Sequence, residues 1–299
     1  RSGGFLEAGN DFQRTEQLAD INNTSTSGGN HGWATFATTL TDAGFTVTQI
    51  EESVEAFEPT TGQTQGTAVP LATMDLSQYD TIIFGSNNAT YDTADVNAVE
   101  SYLRSGGGAV FISDANFGSN WADASNSDQP FLDRLGLTAN QDRGTYSLTR
   151  NNGEFLVDDH PILEGVNQFD GEGVTPVTVN GTLPVGVAVE ILARAEGQVR
   201  RNDGTSGNFQ GSSSNNTEDD AVLLAGTIDD GRFVWHFDRN TFFNLNGAGT
   251  NITRFDNARL ATNILGFTTT PIPEPTSAAI LIALTTIMTR RGVRQAPRA

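Results

Sequence analysis

The chain has 299 residues, with 17 arginine and lysine residues against 36 aspartate and glutamate residues, which gives a formal net charge of −19. All of these cations are arginine, and the sequence contains neither lysine nor cysteine. These absences exclude a thiolate nucleophile or metal ligand, a disulfide framework, a Schiff-base lysine and a Walker-type phosphate lysine. The acidic balance argues against nucleic acid as a partner, because phosphate contacts need a basic face.

Strand and helix patterns alternate along the sequence. Helices are recognised by apolar residues at helical spacing, and strands by short apolar or alternating runs. In chain order, the predicted elements are a strand at 5–8, a helix at 31–43 with Gly44 as its C-cap, strands at 45–50 and 81–84, a helix from Asp92 or Thr93 to 106–108, strands at 109–112, 188–192, 221–225 and 232–237, and a helix at 256–265. This order predicts an α/β fold with a mainly parallel central sheet, and 202–220 is predicted to be a surface loop.

Polar residues follow several of the predicted strands. In open parallel sheets, ligands bind beyond the carboxyl ends of the strands. Polar residues also occur in loops because they stabilise turns, so each of these residues has a structural alternative to ligand binding. For Arg239 we expect that alternative, a clamp on a neighbouring loop with Asp114 or Asp256 as its partner. The candidate ligand residues at this rim are His31, which opens the first helix, and Asn87, Asp114, Asn116, Asp238, Arg239 and Asn240.

No complete catalytic or metal-binding motif is present. Ser113 follows a predicted strand without the G-x-S-x-G elbow of a hydrolase, although a triad of Ser113 with a histidine and an aspartate remains open. The sequence lacks H-E-x-x-H, and the alternating oxygen ligands from Asp114 to Asn120 lack the glutamate that closes a calcium loop. We therefore predict no metal site and no cofactor, and assign no catalytic residue. His160 and His236 are expected to be structural.

The C-terminal segment has three parts. Residues 268–275 form a proline-rich spacer, 277–288 contain no charge, and Arg290 and Arg291 follow. An apolar run followed by arginines is typical of a membrane stop-transfer segment, although this run is shorter than the roughly 20 residues that span a bilayer. A buried C-terminal helix is the alternative, but the run lacks the polar stripe of a surface helix. We expect a domain at 1–267, the spacer at 268–275 and an anchor segment at 276–299.

The same segment resembles the PEP-CTERM protein-sorting signal of bacterial exported proteins. The resemblance rests on Pro273-Glu274-Pro275, the short hydrophobic segment and the pair Arg290-Arg291, in that order. It implies export after removal of an N-terminal signal, transient membrane anchoring by a short hydrophobic C-terminal helix, and processing by an exosortase-type membrane peptidase. It also implies a place in the cell envelope or outside the cell, in bacteria that make extracellular polysaccharide.

A second resemblance, of lower specificity, covers most of the main domain. It is to the class I glutamine-amidotransferase-like superfamily, which this sequence resembles in four segments, at 31–33, 43–45, 106–108 and 159–166. Three later segments, at 237–244, 256–257 and 263–265, are similar to uncharacterised branches of that superfamily. The resemblance implies a flavodoxin-like three-layer sandwich. Amidotransferase members carry a nucleophilic cysteine at a strand-to-helix elbow, with a histidine and an acid as partners. The comparable turn here reads Ser113-Asp114-Ala115-Asn116, so the resemblance predicts the fold without the thiol chemistry.

Two classes of function remain open. The missing nucleophile favours a non-catalytic exported module that is surface- or matrix-associated and linked to extracellular polysaccharide. The alternative is an extracytoplasmic hydrolase that uses the rim carboxylates of Asp114 and Asp238, with His31 as the acid–base group. Convergence of these three side chains in one cleft would favour the hydrolase.

Overall fold

A computed structural model describes residues 21–24, 32–50, 53–58, 63–67, 69–85, 91–113, 124–139, 145–172, 174–194, 221–244, 250–270 and 272. The helices are α1 (Ala34–Asp42), α2 (Thr93–Arg104), α3 (Ala124–Leu135) and α4 (Asn257–Thr268). The strands are β1 (Ser53–Glu58), β2 (Gln63–Thr67), β3 (Thr81–Gly85), β4 (Gly108–Ile112), β5 (Leu137–Ala139), β6 (Thr145–Thr149), β7 (Gln168–Glu172), β8 (Val177–Val179), β9 (Val187–Ala193), β10 (Leu223–Ile228) and β11 (Gly231–His236).

Five strands of the described part of the chain form the central sheet, in the order β3-β4-β11-β10-β9. The strands β3, β4 and β11 are parallel, and Val110 lies opposite both Ile83 and Val234. The strand β10 is antiparallel to both of its neighbours, so β9 again runs in the direction of β3. The sheet is therefore mixed, with a single reversed strand. The predicted α/β class is confirmed, and the hairpin β10–β11 is the departure from parallel order.

The sheet lies between two helical layers. Side chains of successive strand residues point to opposite faces, so β4 divides its residues between two apolar clusters. Val110 and Ile112 pack with residues of α1 and α4, whereas Ala109 and Phe111 pack with residues of α2 and α3. Every residue of β4 is buried, as expected for a strand that is covered on both faces.

Local sequence signals explain several element boundaries. The Asp92 side chain accepts the backbone N–H of Asp95 at the start of α2, and Gly106 follows that helix with φ +102°. Gly44 follows α1 with φ +96°, as predicted for a C-cap. The final helix extends to Thr268, three residues beyond its predicted end, and passes the expected domain boundary at 267. Thr268 is buried, and its hydroxyl accepts a hydrogen bond from the Thr81 hydroxyl at 3.0 Å.

Two predicted strands differ in the structure. Residues 45–50 are not assigned to a strand, although Phe45 and Val47 pack against the cluster beside α1. Within the described residues β3 is an edge strand, so Ile82 and Ile83 are only half-buried instead of buried on both faces. Several elements had no predicted counterpart, namely α3 and the strand pairs β1–β2, β5–β8 and β6–β7.

Some predictions fall outside the described residues. These are the strand at 5–8, the loop at 202–220, and the hydrophobic helix and sorting signal that include Pro273, Glu274, Pro275, Arg290 and Arg291. Among the residues that are described, no helix combines the length and the hydropathy needed to cross a membrane.

Candidate functional site

The parallel strands β4 and β11 end at the same edge of the sheet. Ser113 follows β4, and its backbone N–H donates to the carbonyl oxygen of His236 at 3.0 Å. Asp238, Arg239 and Asn240 follow β11 and are the predicted rim residues that the structure describes. The other predicted rim residues, His31, Asn87, Asp114 and Asn116, lie outside the described part of the chain.

Asp238 and Asn240 hold the end of β7. The Asp238 carboxylate is fully buried, and its Oδ2 accepts the backbone N–H of Glu172 at 2.7 Å. Its Oδ1 accepts the N–H of Asn240 at 2.9 Å, and Nδ2 of Asn240 donates to the Glu172 carbonyl at 2.8 Å. The turn thus binds both backbone polar groups of Glu172. These three hydrogen bonds clamp the end of β7 onto the sheet edge.

The β6–β7 hairpin approaches this edge very closely. A Cβ atom on Gly171 would lie 2.5 Å from the Phe237 ring and 3.0 Å from Cβ of Asp238. Glycine is therefore required where β7 crosses the end of β11. Tyr146 and Phe169 from the hairpin are buried in the cluster beside α1 and α4. The hairpin consequently covers part of the edge where an open sheet would bind a ligand.

Arg239 is largely buried beside this clamp. Its side chain is 9% exposed, and its guanidinium carbon lies 5.8 Å from the centroid of the Phe243 ring. The Asp256 carboxylate, one of its two expected partners, accepts the backbone N–H groups of Asn167 and Gln168 at 2.7 and 3.1 Å. Pairing of Arg239 with Asp114 stays a prediction, because Asp114 lies outside the described residues.

His236 and Ser113 are both inaccessible to solvent. The His236 ring packs among aromatic rings, with its centroid 4.8 Å from that of Phe242, and Nδ1 accepts the N–H of Asp238 at 3.3 Å. Burial lowers the pKa of His236 to about 3, which keeps the imidazole neutral. Nε2 of His236 and Oγ of Ser113 have no hydrogen-bond partner within the described residues. In this arrangement neither group can reach a substrate.

A second buried acid lies on β7 and was missed by the sequence analysis. Oδ1 of Asp170 accepts Nδ2 of Asn257 at 2.8 Å, and the Thr241 hydroxyl donates to the Asp170 carbonyl at 2.6 Å. Nε of Arg254 lies 3.2 Å from Oδ2, as an ion pair without hydrogen-bond alignment. Loss of solvent raises the pKa of Asp170 to about 7, against the opposing effects of Asn257 and Arg254.

The sequence signal for this cluster was weak. The segment of β7 reads QFDGE, in which Asp170 has the appearance of an ordinary surface residue. Asp256 and Asn257 belonged to a segment used for the superfamily resemblance, and Asn257 is the first residue of α4. The one sequence signal for the cluster was therefore the asparagine at the start of α4, Asn257, whose side chain donates to Asp170 in the structure.

One small cavity lies among the described residues, away from the rim that follows β4 and β11. A cavity of about 10 Å³ lies between α2, α3 and the sheet, at the lower limit for a single water molecule. It is lined mainly by apolar side chains, including those of Val99, Leu103, Phe111 and Phe131. Within the described ranges, no three His, Asp or Glu side chains are grouped to hold a metal ion.

No protein-family model matches the sequence, and no curated protein is significantly similar to it. Solved structures that the comparison found include the N-terminal domain of mmIFT52, at 11% identity and TM-score 0.45, covering 65% of this chain and 79% of that one. A ThuA-like protein from Parabacteroides merdae ATCC 43184 has 12% identity and TM-score 0.42, over 82% and 88% of the two chains. A cytoplasmic protein from Salmonella typhimurium LT2 has 13% identity and TM-score 0.41, over 68% and 77%. These identities and TM-scores carry no conclusion about family or function.

Proposed function

We propose that this protein is an exported, non-catalytic binding module of the bacterial cell surface or matrix, with extracellular polysaccharide as its partner. The main observation behind the proposal is that Ser113, His236 and Asp238, at the sheet edge, are all buried. Asp238 clamps β7, His236 is buried and neutral, and Ser113 is inaccessible. We also propose that the domain belongs with the class I glutamine-amidotransferase-like superfamily and lacks its thiol chemistry.

The burial of Asp238 counts against the alternative hydrolase. A catalytic carboxylate must reach the substrate or a water molecule next to it. Both Asp238 oxygens instead accept backbone N–H groups beneath the β6–β7 hairpin. A hydrolase that used this carboxylate would have to open the structure around it, because the side chain is fully buried.

The proposal of export rests on the C-terminal sequence. The Pro-Glu-Pro spacer, the uncharged run and the two arginines occur in the order of a PEP-CTERM signal. In this proposal the uncharged run anchors the protein in the membrane, with the arginines in the cytoplasm, until an exosortase-type peptidase releases it.

Localisation is tested in a polysaccharide-producing bacterium that has an exosortase. We expect the full chain to reach the cell surface or medium with its C-terminus removed near Pro273, as measured by mass spectrometry. Arg290→Ala with Arg291→Ala should impair membrane retention and processing. The matched control is Arg200→Ala with Arg201→Ala, an arginine pair that directly precedes the predicted surface loop at 202–220. Equal processing of both double variants would contradict the sorting-signal proposal.

Activity is tested on the purified full chain. We expect no glutaminase activity and no covalent labelling of Ser113 by serine-directed probes, since the hydroxyl is buried. We also expect retention of the protein on immobilised neutral polysaccharide. Stoichiometric labelling of Ser113 that His31→Ala abolishes would overturn the non-catalytic assignment.

A further inference from the structure

An exposed aromatic side chain occupies a strained position just before α4. Phe255 has φ +47° and is 41% exposed. Bulky residues avoid this left-handed region, which glycine or asparagine adopts with less strain. Leu156 is equally exposed and has no such strain. Single exposed apolar residues are common on proteins, but strain in a loop residue that burial does not require points to a role for the ring.

Hydrogen bonds on both sides of Phe255 hold the loop at 251–256 in this conformation. Nδ2 of Asn257 donates to the carbonyl of Asn251 at 2.8 Å and closes the base of the loop. Oδ2 of Asp256 accepts the backbone N–H groups of Asn167 and Gln168, which attaches the loop to the start of β7. Because these contacts fix the residues around it, the ring of Phe255 is held in place before any ligand arrives.

Arg254 supports the ring. Its guanidinium carbon lies 5.0 Å from the centroid of the Phe255 ring, which is within cation–π range. The same guanidinium is paired with the buried carboxylate of Asp170, Nε to Oδ2 at 3.2 Å. A cation fixed by a buried acid thus covers part of the ring, and the exposed remainder of the ring is free for a ligand.

We propose that Phe255 is a stacking platform for the apolar face of a neutral sugar ring. The proposal rests on the proposed polysaccharide-binding function and identifies its contact residue. Exposed polar residues precede and follow Phe255 in the sequence, at Thr253 and Arg259, and the backbone of exposed Asn167 donates to the adjacent Asp256. A protein partner would need a large apolar interface core, whereas a sugar presents one C–H face surrounded by hydroxyls. The net charge of −19 disfavours an acidic polymer.

The test compares Phe255→Gly with Leu156→Ala in the full chain, by calorimetric titration with cellohexaose, laminarihexaose and mannohexaose. Glycine relieves the strain and removes the ring. We expect Phe255→Gly to keep or raise the melting temperature, by about 2 °C, because glycine accepts the left-handed conformation. We expect its affinity for the bound oligosaccharide to fall about tenfold or more, equivalent to about 1.4 kcal/mol. Leu156→Ala should bind as the wild type does, and Phe255→Tyr should retain binding.

The outcomes distinguish failure of the stacking platform from failure of the proposed polysaccharide binding. If the wild type binds and Phe255→Gly binds equally well, the platform is wrong and polysaccharide binding stands. If the wild type binds none of the three oligosaccharides, both the platform and the proposed partner fail. If Phe255→Gly is misfolded, Phe255→Asn, which also tolerates this backbone, takes its place under the same criteria. Self-association that depends on Phe255 without any sugar effect would assign the ring to a second copy of the chain and overturn the proposal.

Discussion

Two fully buried carboxylates lie near the same edge of the sheet, and they are held by different kinds of donor. Asp238 accepts two backbone N–H groups, from Glu172 and Asn240. Asp170 is held by the side chains of Asn257 and Arg254, and burial raises its pKa to about 7. Burial alone therefore does not determine what an acid does. Backbone donors hold Asp238 in a fixed clamp. Asp170 instead depends on a hydrogen bond from the Asn257 side chain, on the ion pair with Arg254 and on its own protonation state.

The largest effect should come from removal of the clamp. Asp238→Ala leaves two partly buried backbone N–H groups without their acceptor and removes a buried side chain, and we expect a loss of about 2–4 kcal/mol in the free energy of unfolding. The measurement is denaturant unfolding followed by fluorescence. Asp158→Ala is the control, because that carboxylate pairs with Arg150 at an 84% exposed position, and should change stability by less than about 0.5 kcal/mol. Similar losses for the two variants would show that the clamp is no stronger than a surface pair.

The proton of Asp170 should make stability depend on pH. Its folded pKa of about 7 lies above the ordinary value of 3.8, so the folded state keeps a proton that the unfolded state has released. Stability should then fall as pH rises through this window, by about 2 kcal/mol between pH 5 and pH 7. We expect Asp170→Asn to lose this contribution, as measured by unfolding of both proteins at each pH. Parallel pH profiles for the two proteins would contradict the assignment.

Arg239→Lys tests whether Arg239, which lies between the clamp residues Asp238 and Asn240, has a structural role. Lysine lacks the planar fork of arginine, and the contact with Phe243 would weaken. We expect a loss of about 1–2 kcal/mol in stability and a smaller change in any binding. The variant is compared with the wild type in thermal unfolding and in oligosaccharide titration. An unchanged melting temperature with lost affinity would assign Arg239 to a ligand site.

The smallest effect should come from the exposed half of the clamp. Nδ2 of Asn240 donates to the carbonyl of Glu172 near solvent, where water can replace it. We expect Asn240→Ala to cost about 0.5–1 kcal/mol, well below the cost of Asp238→Ala. Denaturant unfolding measures both variants under one set of conditions. Equal costs would mean that the backbone N–H and the carbonyl of Glu172 are equally shielded from water.

Much of the central sheet could be predicted from the sequence. The segments of β4, β9, β10 and β11 are apolar runs or alternations, and their burial is set by their own composition. The capped helix α2 has both of its end signals in the sequence. Elements whose stability depends on tertiary contacts were not found. The strand β7 has the polar sequence QFDGE, which lacks the apolar pattern of a buried strand. The helix α3 contains Pro130, a residue that disfavours a helix interior.

The candidate site was harder to predict, because its main residues are defined by contacts across the chain. Asp238 was correctly placed after a strand, but its burial depends on the crossing hairpin, which the strand pattern does not reveal. Asp170 and Asn257 meet across 87 positions. No local spacing rule connects two residues so far apart, so the acid at the centre of the second cluster had no distinguishing signal.

The pairing of β4 with β11 has a consequence for the order of folding. The central strand finds one neighbour nearby in β3, but the other, β11, is separated from it by the whole middle of the chain. The bond between Thr81 and Thr268 spans 187 positions, so the last helix docks beside one of the first strands of the sheet. Long-range pairing of this kind folds slowly, since distant segments must meet before either is stabilised. During synthesis the sheet therefore stays incomplete until almost the entire domain has been made, which leaves the emerging chain open to chaperones throughout that interval.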